Sequence, residues 1–152
     1  MRNNIGRRNP AEGVLIFRGQ PTIVFLTVCV RNRRRCLANP NVHHALVTSW
    51  EEADAWLIGY YLIMPDHIHL FCSPINEECE IEHWISFWKR RFRRRFGENA
   101  PRFQSRGFHH RLRQNENYRE KWDYIQANPV RAGLVKEARD WRYQGVLNEL
   151  TW

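Results

Sequence analysis

Two histidines separated by one residue, His67 and His69, are the sharpest chemical signal in the sequence. They open the run His67 to Ser73 (HIHLFCS), which has the composition of a β-strand. Side chains along a strand alternate faces, so both imidazoles project to one side and can hold a single metal ion. Alone, such a pair is weak evidence, because two histidines packed or solvated on a sheet read the same way. A second group adds weight. Tyr124 and Asn128 stand four residues apart, hence on one helical face, where a phenol and an amide oxygen reach the same spot. Asn128 precedes Pro129, and the residue before a proline is pushed out of helical geometry, so an Asn-Pro turn that ends the shared face is an equal alternative. Two imidazoles and an amide oxygen leave coordination positions open. That suits Mg2+ or Mn2+, which keep waters and accept phosphate oxygens, whereas a structural zinc takes four protein ligands. An open cation beside a tyrosine points to phosphoryl chemistry.

Charge points to a polyanionic partner. Lys and Arg number 24 against 16 Asp and Glu, a net charge of +8, with a sequence pI near 9.9. The densest stretch is KRRFRRR, in which Lys89, Arg90, Arg91, Arg93, Arg94 and Arg95 surround Phe92 and are expected to contact the phosphates of a nucleic acid; the plain alternative is a solvated helix face. Arg31, Arg33 and Arg34, followed by Arg35, form a second candidate patch. The neighbouring histidines His43-His44 and His109-His110 diverge on a helix or a strand and are assigned no ligand role. Asp66 reads first as a turn residue after Pro65, with orientation of an imidazole as the second option. The four cysteines, Cys29, Cys36, Cys72 and Cys79, are too scattered for a disulfide framework, form no C-x-x-C pair, and are read as reduced thiols.

The elements that would position these groups follow from periodicity. Residues 1–20 mix Arg, Asn, Gly and Pro without a pattern and are expected to be a loose basic arm; the whole of 1–152 reads as one domain. Thr22 to Val30 (TIVFLTVCV) is a buried strand closed by the basic turn Arg31 to Arg35. Asn39-Pro40 suits the start of a helix carrying Val42, Leu46, Val47, Trp50 and Ala53 at helical spacing. Trp56 to Met64 and His67 to Ser73, joined by Pro65-Asp66, make a hairpin. Ile81, Trp84, Ile85, Trp88, Phe92 and Phe96 define an amphipathic helix over 80–96. Phe108 to Leu112 fits a short edge strand, and Asn115 to Ala127 a helix with Tyr118, Trp122 and Tyr124; the remainder to Trp152 has no clear period. Strand, helix, strand, strand, helix, strand is the order of the ferredoxin-like split βαβ motif, an α+β antiparallel sheet with helices packed on it. No apolar run approaches the ~20 residues of a membrane span, and the first ten residues lack the apolar centre of a signal peptide, so the cytoplasm is the default expectation.

The sequence resembles the REP-associated tyrosine transposases, within the larger group of single-tyrosine HUH transposases. The likeness rests on Tyr61 to Phe71 (YLIMPDHIHLF), Asp123 to Val135 (DYIQANPVRAGLV) and Phe25 to Arg34 (FLTVCVRNRR). The H-x-H pair inside an M-P-(N/D)-H-x-H context and the Y-I-x-x-N-P-V-(R/K)-x-G-L-V run are specific in combination, and they occur in the family's order. The resemblance implies His67 and His69 as metal ligands, Asn128 as a third, polar ligand and Tyr124 as nucleophile. It further implies a ferredoxin-like fold, Mg2+ or Mn2+ as cofactor and single-stranded DNA with REP-type hairpins as substrate. The chain departs from the pattern at Phe108-His109-His110, where Phe-Asp-His is common in the family, and from Trp141 onward.

The function expected is that of a metal-dependent enzyme that nicks and rejoins single-stranded DNA through a 5′-phosphotyrosine, acting as a monomer or homodimer without a nucleotide cofactor. A non-catalytic nucleic-acid-binding module of ferredoxin-like fold is the chief alternative, and a metal-dependent nuclease that uses water in place of tyrosine is a second.

Overall fold

A computed structural model of the protein describes residues 22–113 and 116–151. The expected basic arm, residues 1–20, lies outside the described residues. Five strands form one sheet: β1 (Val24–Cys29), β2 (Trp56–Ile63), β3 (His67–Pro74), β4 (Phe108–Arg111) and β5 (Gln144–Val146), in the order β4-β1-β3-β2-β5. Every pairing is antiparallel. The first four strands in the order 4-1-3-2, with α1 (Pro40–Glu52) and α2 (Ile81–Phe96) as crossovers, are the ferredoxin-like split βαβ arrangement, an α+β fold as the sequence predicts. Strand β5 extends the sheet beyond β2 and is an element that the sequence pattern does not announce.

Alternation along β1 and β3 sorts side chains into two layers. Leu26, Val28, Ile68 and Leu70 join Leu46, Trp50, Trp84, Trp88 and Phe92 in one buried core beneath α1 and α2. Ile23, Leu62 and Phe71 point the other way and make a second core with Trp122 and Leu150. Asn39 caps α1 by accepting the Val42 N–H at 3.0 Å, with Pro40 in the first turn, as the Asn-Pro pair predicts.

The second core is covered by α3 (Tyr118–Gln126) and the short α4 (Asn128–Arg131). Two contacts dock α3. The Trp122 indole stacks on the Tyr60 ring at 4.7 Å with an 11° interplanar angle. The Tyr118 hydroxyl accepts the Tyr60 N–H at 3.3 Å where the β2 register shifts, between Ile58 and Tyr61. Gly59 sits in that irregularity, and a Cβ there would strike the Tyr118 hydroxyl and come within 2.8 Å of Leu150. Close approach of the helix to the strand is what requires glycine at this position.

Candidate active site

Register places the two histidines. His69 pairs with Thr27 and with Leu62, and His67 with Cys29, so both imidazoles lie on the second-core face, across the sheet from α1 and α2. Their ring centroids are 4.6 Å apart at an interplanar angle of 77°. Each ring is fixed through Nδ1: His67 Nδ1 meets Asp66 Oδ1 at 2.7 Å, and His69 Nδ1 meets Thr27 Oγ1 at 2.8 Å. An ionised carboxylate only accepts, so His67 Nδ1 carries the proton in its bond, and Nε2 is the nitrogen left to bind a cation when the ring is neutral. Asp66 also accepts from Arg33 Nε at 2.9 Å. Burial works to raise the Asp66 carboxyl, but the hydrogen bonds from His67 and then Arg33 outweigh it and hold the group below the usual range. Asp66 is thus more than the turn residue favoured by the sequence; it orients an imidazole.

His69 is half-buried, its ring 5.2 Å from that of Phe25. Burial first, then the charges of His67 and Arg33, push its pKa down to about 3, so the ring is neutral across the physiological range. A neutral imidazole with one nitrogen engaged by a neighbour is the state in which histidine binds a cation. Among the described residues no three His, Cys, Asp or Glu side chains converge on a common point. The two imidazoles are too few protein ligands for a closed structural zinc site, which takes four.

Tyr124 projects from α3 on the same side of the sheet and is 66% exposed. The Arg131 guanidinium lies over its ring at 4.2 Å and donates through Nη2 to the Tyr124 carbonyl at 2.7 Å. The same Nη2 donates to Asn128 Oδ1. The break does not fall where Pro129 predicts: α3 stops at Gln126 and Ala127 stands between the helices, while Asn128, the residue before the proline, opens α4. The backbone nevertheless stays near helical values through Ala127, at φ −78° and ψ −6°. Tyr124 and Asn128 are joined through Arg131, a residue whose type and spacing alone suggest no such role. Shared face relates the phenol to the imidazoles; among the described residues no hydrogen bond or ring contact links them directly.

The basic residues divide by layer. Arg90, Arg93, Arg94 and Arg95 are exposed on α2, on the helical side of the sheet and so behind the histidines. Arg91 and Arg95 pair with Glu52 of α1. Lys89 turns inward, donates to the Gln104 carbonyl at 2.8 Å, and burial drops its pKa to about 8. Arg31, Arg33 and Arg34 follow β1, on the turn beside Asp66. His109 is satisfied by Glu82 at 2.8 Å with a 5% exposed side chain, and His43 by the Tyr61 hydroxyl at 2.7 Å, so both serve packing between elements. Thr27 has no local motif around it; its role becomes visible only through the β1-β3 register.

These features define a class: ferredoxin-like α+β proteins that set a two-histidine strand and a tyrosine-bearing helix on the same face of the sheet. No family model matches the chain. It is 30% identical to the REP-associated tyrosine transposase of Escherichia coli over 123 residues, 78% of this chain and 73% of that protein. A relative from Haemophilus influenzae is 29% identical over 94 residues, 53% of either chain. Among solved structures, a REP-associated tyrosine transposase bound to a REP hairpin superposes with a TM-score of 0.67 at 26% identity, covering 85% of this chain and 81% of the other. The chain belongs to the REP-associated tyrosine transposases.

Proposed function

We propose that this protein nicks and rejoins single-stranded DNA at hairpin elements of the REP type, with Tyr124 as nucleophile and a divalent cation as cofactor. The observation that carries the reading is the pair His67 and His69, each held at Nδ1, on the face covered by the tyrosine helix. His67, His69 and Asn128 would hold Mg2+ or Mn2+, which when bound supplies polarisation of the scissile phosphate and offsets its developing charge. For Asn128 to serve, its amide oxygen has to exchange the Arg131 bond for the cation.

Tyr124 reacts in line. Its oxygen forms a bond to phosphorus as the bond from phosphorus to the 3′ oxygen breaks, leaving a 5′-phosphotyrosine and a 3′-hydroxyl that receives the proton. The diester count is unchanged, so a different 3′-hydroxyl can reverse the step and join a new strand without ATP. The exposure of Tyr124 leaves the phenol open to a strand from solution. Arginines at 31, 34, 90, 93, 94 and 95 would neutralise flanking phosphates.

Incubation with a hairpin-bearing single strand and Mg2+ or Mn2+ should yield a protein-DNA adduct that survives denaturation, absent in Tyr124→Phe and present in Tyr118→Phe. Tight binding with no adduct would instead indicate a non-catalytic module. Cleavage that persists in Tyr124→Phe but disappears in His67→Ala would indicate water as the nucleophile.

A further inference from the structure

The turn after β1 carries two consecutive non-glycine residues in the left-handed region, Asn32 at φ 58° and Arg33 at φ 53°. Asparagine tolerates this conformation, but a long side chain such as arginine rarely adopts it, and it persists where surrounding contacts over-determine it. Three such contacts run to the turn that precedes the histidine strand. Val30 N–H donates to the Asp66 carbonyl at 2.9 Å, Leu37 N–H to the Pro65 carbonyl at 2.9 Å, and Arg33 Nε to Asp66 Oδ2 at 2.9 Å. The left-handed pair thereby parts the arginines. Arg31 and Arg34 line a cleft with Asn99, Pro101 and Arg102, while Arg33 is committed to the carboxylate that holds His67.

We infer that Arg33 is a positioning residue of the candidate metal centre, acting through Asp66 on His67, and not one of the phosphate-contacting arginines. This rests on the metal reading given above. Asp66 has two oxygens and each is taken, Oδ1 by His67 Nδ1 at 2.7 Å and Oδ2 by Arg33 Nε at 2.9 Å. With the carboxylate anchored at one oxygen, the other fixes both the tautomer and the rotation of the imidazole. Loss of the anchor frees Asp66 to rotate into solvent and leaves His67 to sample orientations in which Nε2 no longer serves the site.

The test is Mn2+ affinity of the full chain without DNA, read from the free-ion EPR signal, alongside thermal melting. Arg33→Gly removes the side chain while relieving the left-handed backbone, so its Tm should hold or rise while Mn2+ binding weakens by about 3- to 10-fold. Asp66→Asn should weaken binding by about 10-fold or more, and on that background loss of Arg33 should add nothing. Unchanged Mn2+ affinity in Arg33→Gly, or fully additive effects in the double variant, would overturn the assignment. A wild-type chain that binds Mn2+ but forms no adduct would sink the tyrosine mechanism and leave this relay intact. One that binds no Mn2+ overturns both before any variant is made.

Discussion

His69 makes the metal-free fold sensitive to acid. In the unfolded chain its imidazole takes a proton near the ordinary pKa of about 6.5, whereas burial keeps the folded ring neutral down to about pH 3. Between these values the unfolded state binds one more proton than the folded one, so stability falls as pH drops through that window, with a limiting slope of about 1.4 kcal/mol per pH unit. His43, whose pKa is lowered by burial and then by the charge of His44, contributes in the same direction. Melts of chelator-treated protein from pH 7.5 to 4.5 should show the decline, and His69→Gln should flatten part of it. An equal slope in that variant would place the acid sensitivity elsewhere. Residues of this kind were legible in the sequence as types and spacing, with Asp66 as the second-ranked reading of a partner for His67, but the partners from distant strands and turns were not. Asp66 looks like turn chemistry because Pro65 stands beside it, and nothing local reveals that Arg33, distant by 33 positions, completes its hydrogen bonding.

At the scale of elements, the tyrosine helix is held by aromatic contacts from Tyr60 of β2 and Phe71 of β3. Gly59→Ala should push Tyr118 and Leu150 away from the strand, lowering stability by about 1 to 3 kcal/mol and cutting adduct formation more than DNA binding. Chemical denaturation and adduct yield measured together check this; unaltered yield would show that α3 docks without that close approach. Trp122→Ala, which removes the stack on Tyr60, should act in the same sense at about 3 to 5 kcal/mol. Elements with strong periodicity were readable in advance: the 3.6-residue spacing of Ile81 to Phe96, the Asn39-Pro40 start, and the hairpin across Pro65-Asp66 all appear where the pattern puts them. Strand β5 was not, because three residues, Gln144 to Val146, carry no alternation of their own and become a strand only by pairing with Tyr60 to Leu62. Nor was the continuation past the Asn-Pro pair, where Asn128 enters α4 although a proline follows it.

Across the whole molecule, the excess positive charge is spread over more than one surface, and the arginines of α2 are not equivalent. All of Arg90, Arg93, Arg94 and Arg95 are exposed, but Arg95 is paired with Glu52, so the other three should contribute more than Arg95 to phosphate binding on α2. Plotted against salt, DNA affinity should follow a slope that becomes shallower by about one in Arg93→Ala and again in Arg94→Ala, with a smaller change in Arg95→Ala. Identical slopes in all three variants and the wild type would remove α2 from the DNA interface. Whatever strand reaches both these arginines and the imidazoles has to go around a rim of the sheet, since the two sets stand on opposite sides of it. Straight, short oligonucleotides can satisfy one set or the other. On the function proposed above, only a nucleic acid that folds back on itself, or one long enough to wrap, would engage both at once, and the separation of the two sets would act on the shape of the ligand before any base is read.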